Sequence, residues 1–351
     1  MQAMAERIPL RLVASAGPRD RFARPLRDLR ISVIDRCNFR CPYCMPEERF
    51  PRDAGFLPAS QRLSAAEIEH LARVFVGLGV DKLRLTGGEP LLRRDLPEIV
   101  ARLAALEGVR DLALTTNGVL LPGLAEALRA AGLKRLTVSL DALDPALFAR
   151  MSGGRGSVAQ VLAGIAAAER AGFAALKINT VVMRGVNDGE VLALLERFRF
   201  TRHVVRLIEY MDVGTCNAWD RAAVVPSAEL VERISARWPL VAIGRNYTGE
   251  VAERYAYADG GGEIGFVSSV TRAFCGDCHR ARLSADGALF TCLFASAGTD
   301  LRGPLRAGCD EATLRELVNQ VWSRREDRYS ELRSEAPVGS GGRIEMYRIG
   351  G

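Results

Sequence analysis

From Leu29 to about residue 210 the chain alternates between two periodicities. Short β-favouring runs occupy 31–35, 82–86, 111–115, 134–139, 175–181 and 203–208, and between them apolar residues recur at helical spacing. The clearest helical segment is 64–78, where Ser64 and Glu67 fit a capping box ahead of Ile68, Leu71, Phe75 and Leu78. Repeated strand-then-helix units imply a parallel sheet, because a parallel neighbour is reached only through a long crossover. Six of them predict an α/β fold, a partial (β/α)6 TIM-type barrel over residues 26–225 with its chemistry at the strand C-termini. An open doubly wound sheet would produce the same alternation.

After Pro226 the rhythm breaks into a helix near 227–236, a Gly-rich loop at 260–262, a strand near 264–270 and a Cys-bearing hairpin around Asp286-Gly287. This predicts a C-terminal α+β extension over 226–336. Residues 1–25 are rich in arginine, with Pro and Gly and no sustained period, and read as an N-terminal tail rather than a targeting peptide. Residues 337–351 form a Gly-rich tail ending in Ile349-Gly350-Gly351.

Composition narrows the class. With 351 residues, 48% hydrophobic and 26% charged, the chain can build a packed core. A net charge of +6 is too mild to argue for nucleic acid as a partner. The longest apolar runs, such as 161–168, are far shorter than a membrane span, and eight cysteines are too sparse for a disulfide scaffold. The expected setting is the reducing cytoplasm, with no membrane partner.

The cysteines carry the sharpest signal. Chance supplies about 0.004 matches to Cys-x3-Cys-x2-Cys in a chain with eight cysteines, and Cys37, Cys41 and Cys44 make one. Three such thiolates can hold three irons of a cubane cluster and leave the fourth iron open to a ligand. A second triplet, Cys275, Cys278 and Cys292, again offers three sulfurs. A zinc ion could instead take Cys41, Cys44, Cys275 and Cys278, stranding Cys37 and Cys292. Cys216 and Cys309 have no partner at ligand spacing.

The run Cys37-Asn38-Phe39-Arg40-Cys41-Pro42-Tyr43-Cys44 resembles the signature of radical S-adenosylmethionine (SAM) enzymes. With Cys275-Gly276-Asp277-Cys278-His279-Arg280-Ala281-Arg282, the 285–287 turn, Cys292-Leu293-Phe294 and the final Gly350-Gly351, residues 26–351 resemble the MoaA family, the GTP 3',8-cyclases of molybdenum cofactor biosynthesis. That resemblance implies two [4Fe-4S] clusters, the second carried by the extension, and SAM as cofactor. It gives Gly88, in the Thr86-Gly87-Gly88-Glu89-Pro90 turn, the task of presenting backbone to the SAM ammonium. Tyr43 would lie against adenine, Ser139 would bind the SAM carboxylate or ribose, and Met211 would form a soft apolar wall.

GTP would bring a triphosphate, yet no P-loop exists in the chain. Gly260-x-Gly262-x-x-Gly265 matches a dinucleotide string but precedes a strand with no helix after it. Phosphate must then meet side chains. Strand alternation puts Lys82, Arg84 and Thr86 on one face and Leu83 and Leu85 on the other, and Lys177 and Asn179 repeat that pattern. Arg206 extends the same logic. In a barrel strand neither face is open solvent, so an inward cation implies an anion nearby.

By the resemblance, positions matching Arg30, Arg84, Thr115, Lys177, Arg280, Ala281 and Arg282 contact GTP. Arg280, Arg282 and the Gly350-Gly351 tail serve the late catalytic steps. His279 stands where the family usually has asparagine, which leaves a fourth iron ligand or a hydrogen bond to guanine or backbone as its roles. The resemblance further implies an electron donor such as flavodoxin or ferredoxin, a downstream cyclic pyranopterin monophosphate synthase, and a homodimer. A peptide-modifying radical SAM enzyme and a zinc-stabilised nucleic-acid-binding protein are the alternative readings of the same cysteines.

Overall fold

The computed structural model describes residues 17–51, 55–247, 249–333 and 342–350. Its first two thirds run β1 (Asp28–Ser32), α1 (Ala65–Gly77), β2 (Lys82–Thr86), α2 (Leu96–Ala104), β3 (Asp111–Thr116), α3 (Ala125–Ala130), β4 (Arg135–Ser139), α4 (Pro145–Ser152), α5 (Val158–Arg170), β5 (Lys177–Val182), α6 (Val191–Phe198) and β6 (Val204–Glu209). The six strands are parallel and lie side by side in chain order. No reversal of strand order occurs among them, which separates the barrel arc from a doubly wound sheet.

Local chemistry explains the elements. Ser64 caps α1 in the expected capping box, with Glu67 returning the bond to the Ser64 N–H at 2.7 Å. Asp144 and Ser157 cap α4 and α5 through their side chains. On the strands, Leu83, Leu85, Leu112, Leu114, Leu136, Val138 and Ile178 are buried beneath the helices. Alternation therefore turns Arg84, Thr115, Thr137 and Lys177 to the inner face of the arc.

One expectation needs correction. The first strand, placed at 31–35 by its β-favouring residues, is Asp28–Ser32. Its limits are set by neighbours on both sides, which pair it at Asp28↔Lys82 and Asp28↔Arg280, while residues 33–35 leave the sheet for the cysteine loop.

After residue 226 come α7 (Ser227–Ser235), β7 (Leu240–Ile243), β8 (Glu253–Tyr257), β9 (Glu263–Val267), β10 (Arg280–Leu283), β11 (Ala288–Phe290), β12 (Thr299–Asp300), α8 (Arg302–Arg306), α9 (Glu311–Ser323), α10 (Tyr329–Leu332) and α11 (Met346–Ile349). Here β9 joins β6 in parallel and β10 joins β1 in parallel, giving one sheet of order β12-β11-β10-β1-β2-β3-β4-β5-β6-β9-β8-β7. Both free edges of the six-stranded arc are thus extended and covered. Among the described residues no helix is long and apolar enough to cross a membrane.

The end of the expected N-terminal tail is packed. Arg24 is 3% exposed, holds Asp20 at 2.6 Å, and donates to the carbonyls of Cys275 at 2.6 Å and Asp327 at 3.0 Å. Arg325 reaches the same Asp20 carboxylate at 3.1 Å. Residues 1–16 lie outside the described residues. Removing the shared anion strands two buried guanidiniums, so Asp20→Ala is expected to destabilise the protein by about 3 kcal/mol. The thermal midpoint of the anaerobic protein measures this; a midpoint within about a degree of wild type would show that the network holds nothing together.

Candidate active site

The loop after β1 carries the first cysteine triplet across the barrel mouth. It lies flush on the Thr86-Gly87-Gly88-Glu89-Pro90 turn, through Gly88 N to the Ile34 carbonyl and Glu89 N to the Arg36 carbonyl, both at 2.7 Å. A Cβ at Gly88 would run into the Arg36 carbonyl, so this contact itself requires glycine. Glu89 anchors the turn by accepting from Thr116 Oγ1 at 2.7 Å, Asn117 N at 2.8 Å and Leu91 N at 3.0 Å. Burial pushes its carboxyl up to about 7 against those three bonds.

Cys37, Cys41, Cys44, Tyr43, Gly88, Thr115, Ser139, Asn179 and Met211 all line one cavity. Tyr43 donates to Asp141 Oδ2 at 2.7 Å, and Asp141 also accepts from Val181 N at 2.9 Å. Burial raises that carboxyl to about 6. Met346 and Tyr347 of α11 line the same cavity, a contribution from the far end of the chain that no local pattern announces.

All three thiols are pushed up. Burial and then the Glu89 charge take Cys37 to about 12; burial, Asp141 and the other two cysteines act on Cys41; burial, Cys37, Cys216 and Glu345 act on Cys44. Three sulfurs on one wall, raised by burial and neighbouring negative charge, form a donor set that lacks a cation. An iron cluster supplies it. The residues present fit that group.

The second triplet is mixed: burial and Asp327 push the Cys292 thiol up to about 11, but Cys278 has the opposite surroundings. Cys278 Sγ accepts from Arg325 Nη2 at 3.2 Å and Arg280 Nη2 at 3.4 Å, and Cys292 Sγ from Phe294 N at 3.5 Å. Burial opposes ionisation of Cys278, but the two guanidiniums outweigh it and bring the thiol down to about 6. N–H···S bonds and nearby positive charge suit an anionic thiolate cluster. Among the described residues no three of His, Cys, Asp and Glu converge as ligands of one metal ion would; a cubane takes each thiolate on a different iron.

Cys275, Cys278 and Cys292 line a second cavity together with Arg30, Arg84, Thr115, Arg280 and Arg282. Strand register builds its floor. Arg282, Arg30 and Arg84 stand in one row across β10, β1 and β2, and Arg280, Asp28 and Lys82 stand in the next. Seven cations, with Lys82, Arg206 and Arg325, face two acids, Asp28 and Asp327. Burial and Arg280 lower Arg30 to about 10, and burial with Arg206, Arg135, Arg84 and Lys82 lowers Lys177 to about 6. Arg84 Nη1 donates to Thr115 Oγ1 at 3.0 Å and Thr137 Oγ1 at 3.2 Å. Ala281, between the two arginines of β10, is buried on the opposite face, in the core.

The two cavities share Thr115, Asn179, Ile208 and Met211 as a common wall. Arg282 Nη1 donates to the carbonyls of Ile349 and Gly350, and Gly350 has φ +71 with its Cα against Thr86. Gly351 lies outside the described residues. The His279 side chain is not in this chamber. It packs against Gly249 and lines an outer basin with Arg19, Arg27 and Arg110. Of the two spare cysteines, Cys216 donates to Glu345 Oε2 at 2.9 Å and so fastens the C-terminal segment.

Comparison with known proteins agrees with this architecture. Residues 31–198 match the Radical SAM superfamily and residues 203–331 match Molybdenum Cofactor Synthesis C. The chain is 64% identical over 337 residues to the GTP 3',8-cyclase of Xanthomonas axonopodis pv. citri (strain 306), covering 96% of this chain and 100% of that one. It is 55% identical over 326 residues to the GTP 3',8-cyclase of Acidothermus cellulolyticus, covering 92% and 90% of the two chains. To that of Staphylococcus aureus (strain MRSA252) it is 42% identical over 336 residues, covering 95% and 98%. Among solved structures, Streptococcus suis SuiB bound to S-adenosylmethionine matches with a TM-score of 0.59 at 14% identity, over 90% of this chain and 69% of that one, a likeness of fold. The chain belongs to the GTP 3',8-cyclase family of radical SAM enzymes.

Proposed function

We propose that the protein converts GTP to 3',8-cyclo-7,8-dihydro-GTP, joining C3' of the ribose to C8 of guanine in the first step of molybdenum cofactor biosynthesis. The observation that carries this reading is the common wall: thiol triplets on two cavities that meet at Thr115, Asn179, Ile208 and Met211, one of them lined by unbalanced cations.

Cys37, Cys41 and Cys44 would hold the first [4Fe-4S] cluster, and Cys275, Cys278 and Cys292 the second. When bound, the first cluster and SAM would supply the 5'-deoxyadenosyl radical needed to take hydrogen from C3' of GTP. The Gly88 backbone, Tyr43, Ser139 and Met211 orient SAM at the mouth. Arg30, Arg84, Thr115, Lys177, Arg280 and Arg282 position the nucleotide, the cations meeting its phosphates, while Ala281, its side chain in the core, has only backbone to offer between the two arginines. Arg280, Arg282 and the C-terminal glycines Gly350 and Gly351 serve the late steps, in a site that must exclude water able to quench a radical. The proposal includes a one-electron donor such as flavodoxin or ferredoxin, a cytoplasmic homodimer, and delivery of product to a cyclic pyranopterin monophosphate synthase. The barrel over 26–225 and the extension over 226–336 act as one site.

Anaerobic incubation with dithionite, SAM and GTP is expected to give 5'-deoxyadenosine and cyclised product in a GTP-dependent way. Deoxyadenosine formed equally well without GTP would sink the substrate assignment. Reconstituted protein should carry about eight irons, and Cys292→Ala about four with the first cluster's spectrum intact; zinc without iron would point to a different protein altogether.

Lys177 gives a pH test. It lines neither cavity but stands on the inner face of β5 close to the chamber's cations; burial and those cations depress its ammonium to about 6, and a polyanion bound among them raises it. Binding at pH 8 therefore takes up about one proton, and GTP affinity falls as pH rises above 6 until the liganded value is reached. Titration calorimetry in buffers of different ionisation heat reads the uptake. Lys177→Met should abolish it; equal uptake in the variant would assign the proton to another group.

A further inference from the structure

The turn between β7 and β8 has no role in the reading so far, yet it reaches the substrate chamber. It is fastened beside the second cysteine triplet, with Arg245 Nη1 on Asp277 Oδ2 at 2.7 Å and Gly249, at φ +84, against the His279 ring. Glu250 ties its other end by accepting from Asn246 N at 2.7 Å and lying 3.8 Å from Arg206. Between these anchors stands Tyr247.

Tyr247 and Lys82 line both the chamber and the outer basin, so this pair is the partition between them. The Lys82 ammonium donates to the Tyr247 hydroxyl at 2.8 Å, lies 4.5 Å from the ring centroid, and has Asp28 Oδ2 at 3.6 Å. Because the phenol oxygen accepts from Lys82, its own proton is left to donate, and it has no acceptor among the described residues. A free donor beside an ammonium, at the edge of a cation-lined chamber, matches an anionic oxygen.

Position says which one. Lys82 begins β2 and Thr86, beside the cysteine loop, ends it, about 13 Å away at strand rise. A nucleotide whose ribose faces the common wall must extend its phosphates away from the mouth, towards Lys82. We propose that Tyr247 is a specificity-determining residue, its phenol capping the chamber and donating to the outermost phosphate, so that the length of the phosphate chain is read there. This inference rests on the chamber being the GTP site.

Equilibrium binding of GTP and of GDP to the reconstituted protein, without SAM, tests it in wild type and Tyr247→Phe. Phenylalanine keeps the ring against Lys82, and Tyr247 is 41% exposed, so iron content and thermal midpoint should match wild type. The expected result is a loss of about ten-fold in GTP affinity with GDP affinity held within about two-fold, collapsing the preference for the triphosphate. Equal losses for both nucleotides, or none, would overturn the role of Tyr247 while leaving the GTP site standing. Failure of wild type to bind GTP would overturn the site and the cap together.

Discussion

The site depends on one strand pairing. When β10 adds to β1 in parallel, its register sets Arg282 beside Arg30 and Arg84, and Arg280 beside Asp28 and Lys82. Adjacent strands are about 5 Å apart, so three guanidiniums become neighbours on a buried face. Their mutual repulsion is visible in Arg30 and Arg282, both depressed first by burial and then by the other arginines. Such a row is electrostatically incomplete without an anion. A shift by one residue would turn both arginines of β10 to the core and Ala281 to the chamber. Chamber, charge and second cysteine loop therefore arise from one register.

The same pairing explains why the two thiol triplets differ. The first lies in a loop leaving the sheet, among apolar groups and the buried carboxyls Glu89 and Asp141. Two of the second triplet, Cys275 and Cys278, immediately precede β10, so that strand also supplies Arg280 to Cys278, and the network around Asp20 supplies Arg325. Cys278 is thereby given the positive charge that the first triplet lacks.

Much of this was legible locally. Capping at Ser64 and Glu67, the six β-then-α units and the cysteine spacings depend on residues near one another in sequence. Alternation alone aimed Lys82, Arg84, Lys177 and Asn179 to one face. What stayed hidden required partners far along the chain. Strand β1 moved three residues because β10 and β2 set its limits; Arg24 at the end of the tail was buried against the carbonyls of Cys275 and Asp327; Met346 and Tyr347 entered the mouth; and His279, set between cluster and arginines in sequence, turned outward onto Gly249. No periodicity encodes such meetings, because pairing between distant segments is settled by the whole sheet and its charges.

Closure of the arc follows from the same long-range economy of edges. A six-stranded parallel arc leaves two unpaired edges and an open mouth, each a route for water. Strands β9 and β10 cover the edges, and the C-terminal segment crosses the mouth. That segment is held at successive points: Arg343 on Asp212, Glu345 on Thr215 and Cys216, Tyr347 on Phe50, and the Ile349 and Gly350 carbonyls on Arg282. Asp212 also holds Arg333, so a single buried carboxylate ties the extension and the tail to the loop that carries Met211. A side chain at Gly350 would strike Thr86, which leaves glycine as the residue able to complete this path. The C-terminal segment is thus the last wall of the cavity that holds the first cysteine triplet, fixed in place by the arginine that the β10 register put there.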